Sequence, residues 1–135
     1  MTTVLYVDDD PAIRRLVRRW FERRGVAIIT AESADEARRL FAEHDVAGAF
    51  VDVWLGRETG FDLYAWIATH RPHLRERVVF ITGDIVPGAA QGTDLQALGR
   101  AVIAKPFEFE DLDLYVRQWS ASGGGEAARV AEPRA

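Results

Sequence analysis

The chain has no cysteine, which excludes disulfide bridges and thiolate-bound metals and fits a reducing, cytoplasmic setting. No run of about 18 apolar residues occurs, the length a helix needs to cross a bilayer, so no membrane partner is expected. A basic stretch followed by an apolar run is missing from the N-terminus, and no signal peptide is visible. The net charge of −4 disfavours a general nucleic-acid surface, whose usual footprint is basic. Lysine is nearly absent: of 17 basic residues, 16 are arginine and one is Lys105. A chain that uses arginine wherever a solvated cation suffices is expected to keep its lone lysine for a specific need. At 135 residues and 48 % hydrophobic content, the chain has the size of one domain with one core.

What is present is a set of apolar runs that each end in a polar group. Gly48–Val51 stops in Asp52, Val4–Val7 runs into Asp8, Asp9 and Asp10, Val78–Ile81 runs into Thr82, and Ala101–Ala104 delivers Lys105 just before Pro106. Such runs read as buried strands that carry functional groups to their C-terminal edge. Helical patterns lie between them. Asp10–Pro11 is an N-cap acid followed by proline at the first helical position, and Ile13, Leu16, Val17, Trp20 and Phe21 mark one helical face up to Gly25. Val26–Thr30 reads as a second strand, and Ser33 with Glu36 reads as a capping box opening a second helix. Phe61–His70 is a third helix stopped by Pro72, Pro87–Leu98 a weak helix diluted by Gly88 and Gly92, and Glu108–Trp119 a last one. Strand–helix alternation of this kind predicts an α/β, doubly wound, five-stranded parallel sheet of flavodoxin-like order 2-1-3-4-5 with five helices. The folded domain spans 1–119, and the Ser/Gly/Ala-rich stretch 120–135 reads as a flexible C-terminal tail.

In that strand order the first and third strands are neighbours at the switch point, so Asp8, Asp9 and Asp52 converge on one crevice. Three carboxylates repel unless a cation joins them or one takes a proton. Carboxylates with no histidine or cysteine nearby suit Mg²⁺ rather than zinc. A carboxylate can also act as a nucleophile toward phosphorus. The transferred group then needs positive charge and hydrogen-bond donors, which Mg²⁺, Lys105 and the Thr82 hydroxyl would supply. Taken singly, Asp10 is a helix cap, Asp52 a common turn residue and Thr82 an ordinary strand end. One of Asp8 and Asp9 could equally be structural. The conjunction of these groups carries the reading.

These motifs, V-D-D-D-P at 7–11, V-D at 51–52 with Gly60 beyond it, I-T-G at 81–83 and K-P-F at 105–107, resemble the receiver domain of two-component response regulators over residues 3–119. The resemblance implies that Asp52 is the phosphoacceptor, that Asp9 binds Mg²⁺ directly and Asp8 through water, and that Trp54 offers its backbone carbonyl. It implies that Lys105 pairs with the phosphoryl group through a cis bond to Pro106, that Thr82 is the switch hydroxyl, and that Gly83 keeps a path open for the phosphodonor. The protein would be a phosphorelay receiver in the cytoplasm, catalysing only its own aspartyl phosphorylation and dephosphorylation. Its partners would be a histidine kinase or histidine phosphotransfer protein and a downstream protein.

The chain departs from the family pattern at several places. Val102 stands where the family commonly has a switch aromatic, and Gly56 stands where it usually has proline, which predicts a looser loop. Trp54 and Asp84 occupy positions that tune phosphoryl lifetime. The Thr-Gly-Asp run and the missing aromatic also look like receivers at the C-terminus of hybrid histidine kinases. The first helix carries Arg14, Arg15, Arg18, Arg19, Arg23 and Arg24, a solvated face or a docking face for the donor. Two rivals remain: a phosphorylation-independent pseudo-receiver that only binds partners, and a Mg²⁺-dependent small-molecule phosphohydrolase. The second would want another acid soon after the nucleophile, where this chain has Val53 and Trp54.

Overall fold

The alternation of strand and helix patterns resolves, in a computed structural model, into three layers, with residues 2–83 and 100–123 described. Strands β1 (Thr3–Val7), β2 (Ala27–Ala31), β3 (Gly48–Asp52), β6 (Val78–Thr82) and β7 (Val102–Ala104) form a parallel sheet in the order β2-β1-β3-β6-β7. Numbered among themselves these five strands run 2-1-3-4-5, the doubly wound order expected. Helices α1 (Pro11–Glu22), α2 (Ala34–Glu43), α3 (Gly60–His70) and α4 (Phe109–Gly123) connect or flank them. The helix predicted over 87–98 lies outside the described residues, as does Asp84. No described helix is long and apolar enough to cross a membrane.

Side-chain alternation on the strands divides the core in two. Leu5, Val7, Ala49, Val51 and Phe80 face Ala37 and Phe41 of α2 and Leu63 and Ile67 of α3. Val4, Tyr6, Phe50, Val79 and Ile81 face Val17 and Phe21 of α1 and Leu112, Val116 and Trp119 of α4. With helices on both faces the inner strands β3 and β6 are apolar up to their last residues, Asp52 and Thr82, and every residue of both is buried. Burying each large side chain of this kind contributes about 1.5–3 kcal/mol. At Gly48 the Trp119 ring lies where a Cβ would be, so the start of β3 accepts the indole only because the side chain is missing.

Local chemistry sets the helix ends. The Asp10 carboxylate accepts from the N–H groups of Ala12 and Ile13, and Pro11 occupies the first turn. Gly25, at φ +77°, closes α1 with the paired bonds Val26 N to Phe21 O and Gly25 N to Glu22 O of a Schellman motif. Ser33 caps α2 as expected, but Glu36 reaches back to the N–H of Glu32, one residue before the cap. A full capping box forms instead at Thr59 and Asp62, at the start of α3.

Four expectations are corrected. Leu16, read as part of the buried face of α1, is 52 % exposed, because the sheet and α4 cover only the Val17–Phe21 edge of a wide apolar stripe. Gly56 lies in a hairpin turn rather than in an irregular loop. It sits at φ +77° in a two-residue turn between β4 (Trp54–Leu55) and β5 (Glu58–Thr59), an antiparallel hairpin that the sequence reading treated as loop. Positive φ at the first turn position alone is the type II′ pattern, which matches strand twist and favours glycine. The last helix, expected to end at Trp119, runs on to Gly123. Finally, the fourth predicted strand extends one residue further, and Thr82 closes it rather than following it.

Candidate phosphoacceptor and cation site

The site is built by register. Tyr6 pairs with Phe50 and Val7 with Val51, so the next step on β1 and β3 sets Asp8 beside Asp52. Asp52 in turn pairs with Ile81, and Thr82 with Ala104, so the next residues outward are Thr82 and Lys105. Four strand ends separated by up to about a hundred residues of sequence therefore meet at one edge.

Lys105 Nζ donates to Asp52 Oδ2 at 2.7 Å and lies 3.1 Å from Asp8 Oδ2. The other oxygen of Asp52 accepts the Trp54 N–H at 2.9 Å. Asp8 is completely buried: Oδ1 accepts the Asp10 N–H at 3.0 Å and Oδ2 accepts the Tyr6 hydroxyl at 2.9 Å. Asp9 is exposed, and one carboxylate oxygen from each of Asp8, Asp9 and Asp52 lies within 4.8 Å of the others. Three carboxylates against one ammonium leave two formal negative charges, the balance a divalent cation would neutralise. The donor set is all oxygen, as Mg²⁺ requires.

Electrostatics follow from crowding and burial. Burial pushes the Asp52 carboxyl above its ordinary value, with Asp8 adding to the rise, while the bonds from Lys105 and the Trp54 N–H oppose it. Burial alone would lower Lys105, but its bonds to Asp52 and Asp8 outweigh that and raise it. The Tyr6 phenol is held protonated far above its usual range by burial and by Asp8.

The remaining residues singled out in the sequence fall around this centre. Thr82 is fully buried, and its carbonyl accepts the Lys105 N–H at 2.8 Å. Gly83 is exposed, and a Cβ there would meet Lys105 at an ordinary 3.8 Å. The Lys105–Pro106 peptide is cis. Val102 is half-buried opposite Phe80 in β6. Trp54 is 46 % exposed, with its indole outside the core. The Asp10 side chain caps α1, while its backbone N–H holds Asp8. Four further residues complete the surroundings, none of which is given a role in the site by sequence alone. Arg14, counted among the surface arginines, turns its guanidinium onto the Asp8 carbonyl at 2.8 Å. Tyr6 bonds Asp8. Gly60 lets α3 begin against β3: its N–H donates to Val53 O at 2.7 Å, and a Cβ would stand 2.5 Å from the Asp52 carbonyl oxygen. Arg38 of α2 pairs with Glu58 and Asp35, tying the hairpin beyond Asp52 to α2.

Beside the acidic edge, Ile13 and Leu16 of α1 and Lys105, Pro106, Phe107 and Phe109 line an apolar notch of about 360 Å³. The exposed guanidinium groups of Arg15, Arg18, Arg19, Arg23 and Arg24 continue along the helix from it.

The family model described as the response regulator receiver domain matches residues 4–117. Among curated proteins, the alginate biosynthesis transcriptional regulatory protein AlgB of Pseudomonas syringae pv. tomato is 31 % identical over 97 % of this chain, which covers 30 % of that protein. Response regulator Rre1 of Synechocystis is 28 % identical over 96 % of this chain and 59 % of its own length. The chain thus spans less than two thirds of these relatives. Among solved structures, the response regulator TrrA of Thermotoga maritima, determined in complex with Mg²⁺ and BeF, superposes with a TM-score of 0.74 at 23 % identity, covering 88 % of this chain and 99 % of that one. A two-component response regulator from Clostridium difficile reaches 0.79 at 19 % identity, over 93 % and 100 %. At those identities the structural likeness speaks for the fold.

Proposed function

This chain belongs to the response regulator receiver domain family, a family of signalling domains rather than classical enzymes, and from that premise we propose that it is phosphorylated on Asp52 by a phosphohistidine donor. The observation that carries the reading is Asp52 itself: buried, raised in pKa, held on one oxygen by the Trp54 N–H and on the other by the chain's only lysine. In the reaction an Asp52 carboxylate oxygen attacks phosphorus, the P–N bond to the donor imidazole breaks as the P–O bond forms, and the imidazole leaves with the electron pair. Lys105, freed from Asp8 and Asp52, follows the charge onto the phosphoryl oxygens, where a preorganised cation is most effective. The Thr82 hydroxyl, at the end of β6, is the group that would close onto the same oxygens and carry the change toward β7 and α4. Asp8, Asp9, Asp52 and the Trp54 carbonyl would hold Mg²⁺, which supplies charge neutralisation for the incoming phosphoryl group. The complex of TrrA with Mg²⁺ and BeF supports that assignment by analogy.

The donor would be a histidine kinase or a histidine phosphotransfer protein, docking on the α1 notch and its arginines. A downstream protein would read the altered face. Relatives named as transcriptional regulatory proteins are much longer than this chain. The net charge of −4 favours a protein partner over nucleic acid. Function in the cytoplasm, where such donors work, belongs to the same reading.

Intact mass after incubation with Mg²⁺ and a small phosphodonor tests it. One added phosphoryl group, absent without Mg²⁺ and absent in Asp52→Asn, is the expected result. No adduct together with no beryllofluoride binding would overturn it in favour of the pseudo-receiver. Steady turnover of generic phosphate esters would favour the phosphohydrolase.

A further inference from the structure

Asp8, the first acid after β1, is held by a group that neither the acceptor chemistry nor the cation set requires. Tyr6 and Asp8 are two apart on the strand and point to the same side of the sheet. Both are 0 % exposed. The ring is fixed by packing among Val17, Phe21 and Phe50, with the Phe50 centroid 6.4 Å away. Its hydroxyl donates to Asp8 Oδ2 at 2.9 Å, the oxygen that Lys105 also approaches. A phenylalanine would fill the same space without burying an oxygen that must be paired. The hydroxyl is therefore a cost to the core, offset at the carboxylate.

The consequence is geometric. With Oδ1 taken by the Asp10 N–H and Oδ2 by the Tyr6 hydroxyl, the Asp8 carboxylate plane cannot rotate. Lys105 alone could not fix it, because that ammonium must move toward an arriving phosphoryl group. The Tyr6 bond comes from the rigid core and stays in place. We infer that Tyr6 is a positioning residue, whose hydroxyl locks Asp8 in the orientation that completes the Asp8–Asp9–Asp52 cation site. This inference rests on the reading of that cluster as a Mg²⁺ site. Partners that orient metal-site ligands typically change metal affinity about 10–100-fold when removed.

The test is a Mg²⁺ titration of the full chain, wild type against Tyr6→Phe, followed by NMR at the Trp54 amide that donates to Asp52. A Kd weakened by about tenfold, with a melting temperature in EDTA no lower than that of the wild type, is the expected result. A merely structural tyrosine would lower the melting temperature and leave the Kd unchanged, and that outcome overturns the inference. In the wild type, the Tyr6 hydroxyl proton should be protected from exchange and its resonance should shift on Mg²⁺ saturation. A rapidly exchanging or unshifted proton also overturns it, whether or not the variant folds. If the wild type takes up no Mg²⁺ at all, the cation reading itself fails, and this inference with it.

Discussion

At the scale of single residues, the molecule concentrates charge that it cannot fully pair. Asp8 and Asp52 are buried at neighbouring strand ends with Lys105 between them, and Asp52 has a raised pKa as a result. A raised folded-state pKa means that the native protein binds this proton more tightly than the unfolded chain does. The stability gained is complete below the ordinary value of 3.8 and is lost as pH rises through the folded value. Ionised Asp52 is then a net cost to the metal-free protein at neutral pH. Asp52→Asn removes the buried charge and keeps one acceptor oxygen in place of two; it should raise the melting temperature in EDTA at pH 7, and the gap should shrink below about pH 4. Added Mg²⁺ should stabilise the wild type and largely spare the variant. Thermal melts across pH, with and without the metal, check both signs.

Among the elements, the start of α3 is the tightest constraint on the acceptor. The hairpin β4–β5 reverses the chain within a few residues, Arg38 holds it to α2, and Gly60 brings α3 directly against the Asp52 carbonyl. Gly60→Ala would set a methyl 2.5 Å from that oxygen, and backbone must shift to receive it. Overpacking of this sort costs about 1–3 kcal/mol. The variant should unfold at correspondingly lower denaturant and be phosphorylated more slowly, since the displaced backbone is that of Asp52. Chemical denaturation and the mass assay measure the two effects separately. Gly56 differs in kind: nothing lies within 4 Å of a Cβ there, and its requirement comes from φ +77° alone.

For the molecule as a whole, one end of the sheet carries negative charge and the adjoining helix carries positive charge around an apolar notch. That arrangement favours fast encounter with an acidic donor surface. Reversing Arg18 and Arg19 to glutamate should slow phosphotransfer from a donor protein by about tenfold or more at low salt, with the difference fading as ionic strength rises. Phosphorylation by a small donor should be unchanged. Stopped-flow or quench-flow rates over a salt series distinguish this from damage to the site, which would slow both donors.

The sequence by itself determined the alternation of elements, the strand order and the edge on which Asp8, Asp9, Asp52, Thr82 and Lys105 converge, because apolar period and strand-end polarity are local signals that topology rules extend to a whole sheet. It also carried the family, since the four motifs stand in order along the chain. Tertiary structure alone decided what each of those residues does there. Three aspartates are consecutive in sequence. Asp10, before Pro11, is marked as the cap by its local sequence, but only packing separates the other two, leaving Asp8 fully buried and Asp9 exposed. Arg14 reads as one more surface arginine until it is seen on the Asp8 carbonyl, and Tyr6 as a core aromatic until its hydroxyl is seen on the carboxylate. Leu16 matches the helical period of Val17 and Phe21 but is left outside. Periodicity records which face a residue occupies. Whether another element comes to cover that face, and which polar atom it brings, depends on contacts between segments far apart in the chain.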